Sequence, residues 1–489
     1  MKIQPHFLRL ATLSASLLLI IGAAALSPVC ATAEQDEAKA EQSVRLQIQN
    51  GEVADLNVLF PEEDFPKDKF PDKRRLAASF IVELLTSHDG TLRVDPHGLW
   101  IVNAVITGEL DLINQEIPYE VSLINCVFED DVDLTDSHFA KAFSLTGSTF
   151  KHSIDFSGVN VDSDFDAEGG EFSSNEATFL NMKVGRDFRI GSRIFGSRST
   201  SFANVRVGGD FETDGSEFRS EDISFEAMRV EGTFSVQRCT FNYVQTGHSE
   251  NGHGPKVSFV AARYSDVFLD GSSFRQAWTI DFSRMQTDFL SLNDFTPNPL
   301  GQLRLGRMTF KFISPTSPNK LQFLLARGDA EFYADLENSL RTHGYSEEAD
   351  TVFIARKRRE RDKCTSFLSN CDRGGWVWNY FQDELAGYGK KLKYLLVWSL
   401  VFLFIGMVVF RSEKGMRTQD KKDARHYYRR YCCFWYSLDL FLPIIKLGEA
   451  DTWKPRDNRR WANVYRKVHI IIGSLFVPIG LAAWTGIIR

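Results

Sequence analysis

Three small groups of residues have the type and spacing to do chemistry. His248, Glu250 and His253 lie within QTGHSENGHGP, residues 245–255. Two imidazoles and a carboxylate are donors that a divalent metal accepts. With no further ligand at metal spacing, the segment reads as an exposed loop, and no metal site is assigned. Asp164, Asp187 and Arg186 form the second group, 22–23 residues apart. Carboxylates paired with each other or with a cation are the equipment of polysaccharide cleavage. A charged repeat surface produces such neighbours on its own, so no catalytic residue and no cofactor are assigned. Cys364 and Cys371 form the third group. Seven residues apart in an exported segment, they are placed to form a disulfide. Cys126 and Cys239 are too far apart along the repeats to pair.

The elements that must position these groups are set by repetition, the pattern to seek first. Phe165, Phe188, Phe211 and Phe234 are 23 residues apart, as are Phe172, Phe195, Phe218 and Phe241, and Phe156, Phe179, Phe202 and Phe225. Met182, Val205 and Met228, then Val184, Val207 and Val230, keep the same step. Upstream the step is 22, from Phe143 to Phe165 and from Phe150 to Phe172. Downstream it reads as 21, from Phe268 to Phe289 and from Phe274 to Phe295. No helical period yields three apolar columns at such a step. Short β-like pieces punctuated by Gly, Ser, Asn and Asp do.

The fold expected is mainly β: a right-handed parallel β-solenoid of 21–23 residues per coil, with three short strands per turn and the twelve Phe side chains as interior ladders. Residues 99–300 hold roughly nine coils, a rod of about 40 Å at 4.8 Å per coil. One coil cannot bury its own apolar face, so stacking is obligatory. The register stacks Asp166, Arg189 and Glu212 with alternating sign, and Asp164, Asp187 and Asp210 with like sign. The second column is a solvated edge or a cation-binding one. Phe225 and Phe259 are 34 apart, one coil plus an 11-residue insertion that contains the His248 loop.

Open coil ends need covers. Residues 72–88 (DKRRLAASFIVELLTSH) read as an amphipathic helix with Leu76, Phe80, Ile81, Leu84 and Leu85 on one face, suited to an N-terminal cap. Residues 320–362 read as two helices broken at His343-Gly344-Tyr345, a hairpin for the other end. The expected divisions are 1–33, a signal peptide; 34–98, an N-terminal segment with the capping helix; 99–300, the solenoid; 301–390, the helical hairpin and juxtamembrane linker; and 391–489, a membrane domain.

The signal peptide rests on a basic start (Lys2, Arg9), the apolar run 11–26 and the small residues Ala31-Thr32-Ala33. The membrane domain rests on two apolar stretches, 394–410 and 468–488. Aromatic residues from Trp376 to Tyr388 precede the first stretch like an interfacial belt. Charge is unevenly shared. Residues 390–489 carry 19 Lys and Arg against 7 Asp and Glu, a net of +12, so 38 basic and 57 acidic residues elsewhere leave −19. An acidic body argues against nucleic acid as a partner. A basic loop between two spans is expected on the cytoplasmic side. Within it, residues 434–447 begin as an apolar segment interrupted by Asp439 and Pro443, an interfacial helix or a pore helix.

Several stretches resemble a bacterial family. DPHGLWIVNAVITGELDL, VSLINCVFEDDVDLTDSHF and VRVGGDFETDGSEF are similar to coils of pentapeptide-repeat-like solenoid membrane proteins, often labelled "membrane-associated oxidoreductase". HGYSEEADTVFIARKRRER, LAGYGKKLKYLLVWSL and SLDLFLPIIKLGEADTW resemble their tails. The resemblance implies a solenoid with a two-span anchor. The sequence holds no GxGxxG, CxxC or CxxCH motif.

The function expected is that of a non-enzymatic binding scaffold or envelope sensor in the inner membrane of a bacterium. Its solenoid is periplasmic and its loop 411–467 cytoplasmic. Its partners are the lipid bilayer and an envelope protein or polysaccharide, in an oligomeric state left open. The alternatives are a channel subunit gated by the solenoid, or a polysaccharide-active enzyme on one face.

Overall fold

The computed structural model describes residues 37–60, 74–87, 94–173, 176–191, 193–196, 198–243, 254–314, 324–325, 330–362, 380, 383, 387, 392–418, 431–442 and 445–484. The proposed signal peptide, the His248 loop and both Cys364 and Cys371 lie outside them. The chain forms two compact units, 1–344 and 345–489.

The first unit is a parallel β-solenoid. Residue i of one coil pairs with residue i+22 of the next as far as Phe143↔Phe165, then with i+23 through Phe165↔Phe188↔Phe211↔Phe234. The second column runs Phe128↔Phe150↔Phe172↔Phe195↔Phe218↔Phe241↔Phe274. Its rings stack nearly flat, with centroids 5.1 Å apart at Phe172–Phe195 and 4.7 Å at Phe195–Phe218. Phe156, Phe179, Phe202 and Phe225 follow the third strand of each coil and meet the first column edge-on, as at Phe188–Phe202. All twelve ladder rings are fully buried. Alternation explains the arrangement: in a two-residue strand one side chain points inward and the other outward.

Two sequence expectations are corrected. The early coils have four short strands per turn, not three. Val121–Ile124, Val127–Phe128, Val132–Asp133 and His138–Phe139 make up one such turn. The fourth and first faces then fuse at Arg229–Ser235, which pairs with strands of both, and from that coil onward three strands make a turn. The fusion costs one residue. Val230 pairs with Tyr264 but Thr233 with Asp266, so Phe234 faces Val267, then Leu290 and Ile313. Phe268 and Phe289 are therefore not ladder partners. They pair with Ser291 and Asp266, although their rings lie 5.6 Å apart. The insertion is where spacing placed it: Ile223 pairs with Val257.

Among the described residues, two series of left-handed residues mark turns of successive coils. One series runs through Asn103, Asn125 and Gly147 and the other through Asn114, Asp136 and Gly158. Asn, Asp and Gly tolerate that conformation. Ala227 and Ala261 occupy it as well. The ladder extends past both ends of 99–300, from Ala54–Asp55, paired with Leu99–Val102, to Thr309–Ser314.

Helices cover both ends. Helix α1 spans 37–49 and buries Ala40, Val44 and Ile48; α2 is Leu56–Leu59 and α3 is Ala78–Thr86. The expected helix 72–88 begins late because Arg75–Ala77 is a strand whose Leu76 pairs with Ile106. From α3 on, Phe80, Ile81, Leu84 and Leu85 are buried as the pattern predicts, over the strands at Leu110–Asp111 and Glu116–Ile117. Helix α4, Ala330–Thr342, lies against Thr309–Ser314. There Ser339 donates to the Lys311 carbonyl at 2.6 Å and Phe332 meets Phe310. Gly344, at φ +88, breaks the helix as expected.

The second unit begins with α5, Ser346–Asp362, whose Arg358 and Arg361 both bond the buried Asp383 carboxylate. Then come α6, Leu392–Val409; α7, Cys433–Phe441; α8, Glu449–Thr452; and α9, Arg460–Trp484. Among the described residues one helix, over Arg460–Leu481, is long and apolar enough to cross a membrane, starting eight residues before the expected 468. Helix α6 is shorter. Both present large apolar side chains outward, among them Leu400 and Phe404 on α6 and Ile471 on α9. Such a surface requires lipid or a partner.

Candidate functional site

The Asp164–Asp187–Asp210 column is structural. Each carboxylate accepts the backbone N–H one coil above: Asp187 N–H to Asp164 (3.2 Å), Asp210 N–H to Asp187 (3.1 Å) and Thr233 N–H to Asp210 (2.7 Å). The column marks the corner between the fourth and first faces, where the strands are interrupted and backbone donors lack a ladder partner. Arg186 lies 3.6 Å from Asp164, and Arg189 is 2.5 Å from Asp187 and 3.7 Å from Glu212. These cations offset the like-charge repulsion. The acids proposed for glycan cleavage are thus engaged in holding coils together. Among the described residues no group of His, Cys, Asp and Glu is arranged to hold a metal ion. Cys126 and Cys239 are buried and unpaired, and burial pushes both thiols up to about 12.

The outward positions of the fourth face form a row of another kind. Lys183, Arg206, Arg229 and Arg263 pair in register from coil to coil. Each precedes an inward residue of the column Val184, Val207, Val230 and Tyr264. All four cations are exposed. Gln286 and Thr309 continue the row. The row borders two adjoining grooves of about 490 and 550 Å³ that share Arg229 and Glu231. Beside the cations run Gly185 and Gly208, where a Cβ would meet the carbonyls of Asp162 and Gly185 in the coil below. Both glycines are exposed, so no side chain stands beside the cations at those two positions. Like charges one strand spacing apart repel by about 1 kcal/mol per neighbour in water. Among the described residues no ion pair or side-chain hydrogen bond holds these four cations. At the other end of the same face His138 lies between Glu116 (2.7 Å) and Asp162 (3.1 Å). Hydrogen bonds to those carboxylates raise its pKa.

In the second unit, α7 packs against α6 and α9 at two glycines. A Cβ at Gly406 would meet the Ser437 hydroxyl, and one at Gly473 the Phe441 carbonyl. Ser437 donates to the Leu403 carbonyl at 3.2 Å, so His469 Nε2 carries the proton that faces the Ser437 carbonyl at 3.1 Å. Asp439 accepts from the amides of Leu447 (2.7 Å) and Ala450 (2.6 Å). Of the interrupted segment 434–447, the part to Phe441 is a short helix, and its Asp439 holds the backbone at Leu447 and Ala450.

Comparison with known proteins finds no matching family model, curated protein or solved structure.

The basic row is a candidate site missed in the sequence, and its signal was present. Val184, Val207 and Val230 define an inward column, so the residue before each must face outward. Reading those residues gives Lys, Arg, Arg. The net charge of −19 concealed a local basic strip because total charge carries no information about columns.

Proposed function

We propose that the chain is a non-enzymatic, membrane-anchored scaffold or sensor of a bacterial envelope. Its solenoid would lie on the periplasmic side of the inner membrane, and residues 411–467 in the cytoplasm. The observation that carries this reading is the register of the coils, which aligns outward side chains into continuous rows open along their length. Such a surface suits an extended partner better than a small substrate, which favours enclosed pockets. The outward apolar surface of α6 and α9 supports anchoring, and kinship with pentapeptide-repeat-like membrane proteins belongs to the same proposal. Engagement of Asp164 and Asp187 by backbone amides weighs against the cleavage alternative.

The test is crosslinking of the full-length chain in intact cells, followed by native mass determination. A product containing a different envelope component is expected. A discrete homo-oligomer that conducts ions in a planar bilayer would overturn the scaffold reading in favour of a channel.

A further inference from the structure

We infer that the groove along Lys183, Arg206, Arg229 and Arg263 binds an acidic polysaccharide in extended form, with its chain running along the solenoid axis. This rests on the scaffold reading and names its ligand class.

The argument begins with spacing. Successive cations belong to paired parallel strands, about 4.8 Å apart, so they form a straight line of positive charge spanning three coil steps. A partner must offer negative charge repeatedly along a line. Small anions would use one or two rungs and leave the rest repelling each other. Three of the four are Arg, whose planar fork suits carboxylate and sulfate oxygens. Beyond Arg263 the row changes to Gln286 and Thr309, neutral donors and acceptors suited to sugar hydroxyls. Gly185 and Gly208, required by close coil packing, are exposed beside the cations and carry no side chain to obstruct a sugar ring.

Nucleic acid is disfavoured by the lining. Single-stranded sites use exposed aromatic faces on which bases stack; the groove from Asn160 to Glu231 contains none, and in the adjoining one Tyr264 is buried and Phe310 packs on Phe332. Glu231 and Asp162 border the strip, which limits the positive field to the row itself and sets a register for the ligand's charges.

The test uses the full-length chain in nanodiscs of neutral lipid. Oligogalacturonate of defined length is titrated in by calorimetry, with a neutral hexasaccharide, a single-stranded oligonucleotide and polyphosphate as comparators. Binding of the uronate oligomer is expected, weakening as salt is raised. Arg206→Ala with Arg229→Ala should weaken it about tenfold or more. Thermal stability of that double variant should be unchanged or higher, because mutual repulsion is removed; this separates lost binding from lost folding. Arg186→Ala, on the neighbouring corner, should bind as the parent does. Equal binding by the double variant overturns the site. Equal or tighter binding of the oligonucleotide or polyphosphate overturns the saccharide assignment. Absence of uronate binding, with a protein partner still captured by crosslinking, overturns this inference and leaves the scaffold reading standing.

Discussion

A carboxylate stacked on two others at one strand spacing invites a functional explanation, because repulsion of about 1 kcal/mol per neighbour must be offset by something. Here it is offset by the backbone. Asp187 accepts the N–H of Asp210 and pairs with Arg189, so it replaces the strand ladder at a corner where the ladder is broken. Asp187→Ala should lose about 1–2 kcal/mol, with faster hydrogen exchange at the Asp210 amide of the full-length chain; unchanged exchange there would return the column to the list of possible ligand sites. The left-handed turns give the opposite case. Ala227 sits at φ +53, a conformation that costs an L-residue about 1–2 kcal/mol. Its position is filled by Asn114, Asp136, Gly158, Asn181 and Asn204 in the preceding coils, and by Ala261, Arg284 and Arg307 in the later ones. Ala227→Gly should therefore slow exchange across its coil and raise the melting temperature. A lower melting temperature would show that the methyl makes contacts worth more than the strain.

At the scale of strands and helices, the ladders were legible because each Phe has one role in every coil. A 23-residue step with three phases can only be a stack of equivalent turns. What the sequence hid was the number of strands per turn. The corner between the fourth and first faces is drawn by Gly208-Gly209-Asp210, which reads as an ordinary turn, yet its strands become one from Arg229 onward. The dropped residue at that fusion also explains why Phe268 and Phe289 looked like a ladder at 21 and are not. The apolar column continues instead through Val267, Leu290 and Ile313. The cap helix was half legible: its buried face was right, but Leu76 was drawn into the sheet by its pairing with Ile106, a tertiary contact that no local pattern encodes. Ladder membership has an energetic consequence. Phe188 is wholly buried between Phe165 (4.9 Å) and Phe211 (5.0 Å). Phe188→Ala should cost about 3–5 kcal/mol. Because a solenoid is held by nearest-neighbour contacts, the loss should start at its own coil and pass through each adjacent coil to the next. Thiol labelling reports it: Cys239, two coils away and resistant to alkylation in the parent, should become reactive at lower denaturant in the variant. Equal protection of Cys239 in both proteins would mean that coils unfold independently.

For the molecule as a whole, the deciding asymmetry is that an acidic body of −19 precedes a segment of +12. Residues 411–459 fall between two apolar helices. By length alone the second is the stronger span, since α9 with 25 residues extends about 37 Å and α6 with 18 about 27 Å, against a hydrocarbon core of about 30 Å. The two arrangements place the chain differently. If only α9 crosses, the basic loop shares a side with the solenoid. If α6 crosses as well, with little tilt, loop and solenoid are on opposite sides. Positive charge is retained on the cytoplasmic side, and that bias favours two crossings. Single cysteines at Ser412 and Ser265, in a chain whose native cysteines are replaced, report the difference with an impermeant maleimide. Ser265 should label in intact spheroplasts and Ser412 only after permeabilisation. Labelling of both without permeabilisation would leave α9 as the single crossing and put the basic loop beside the body it is too basic to match.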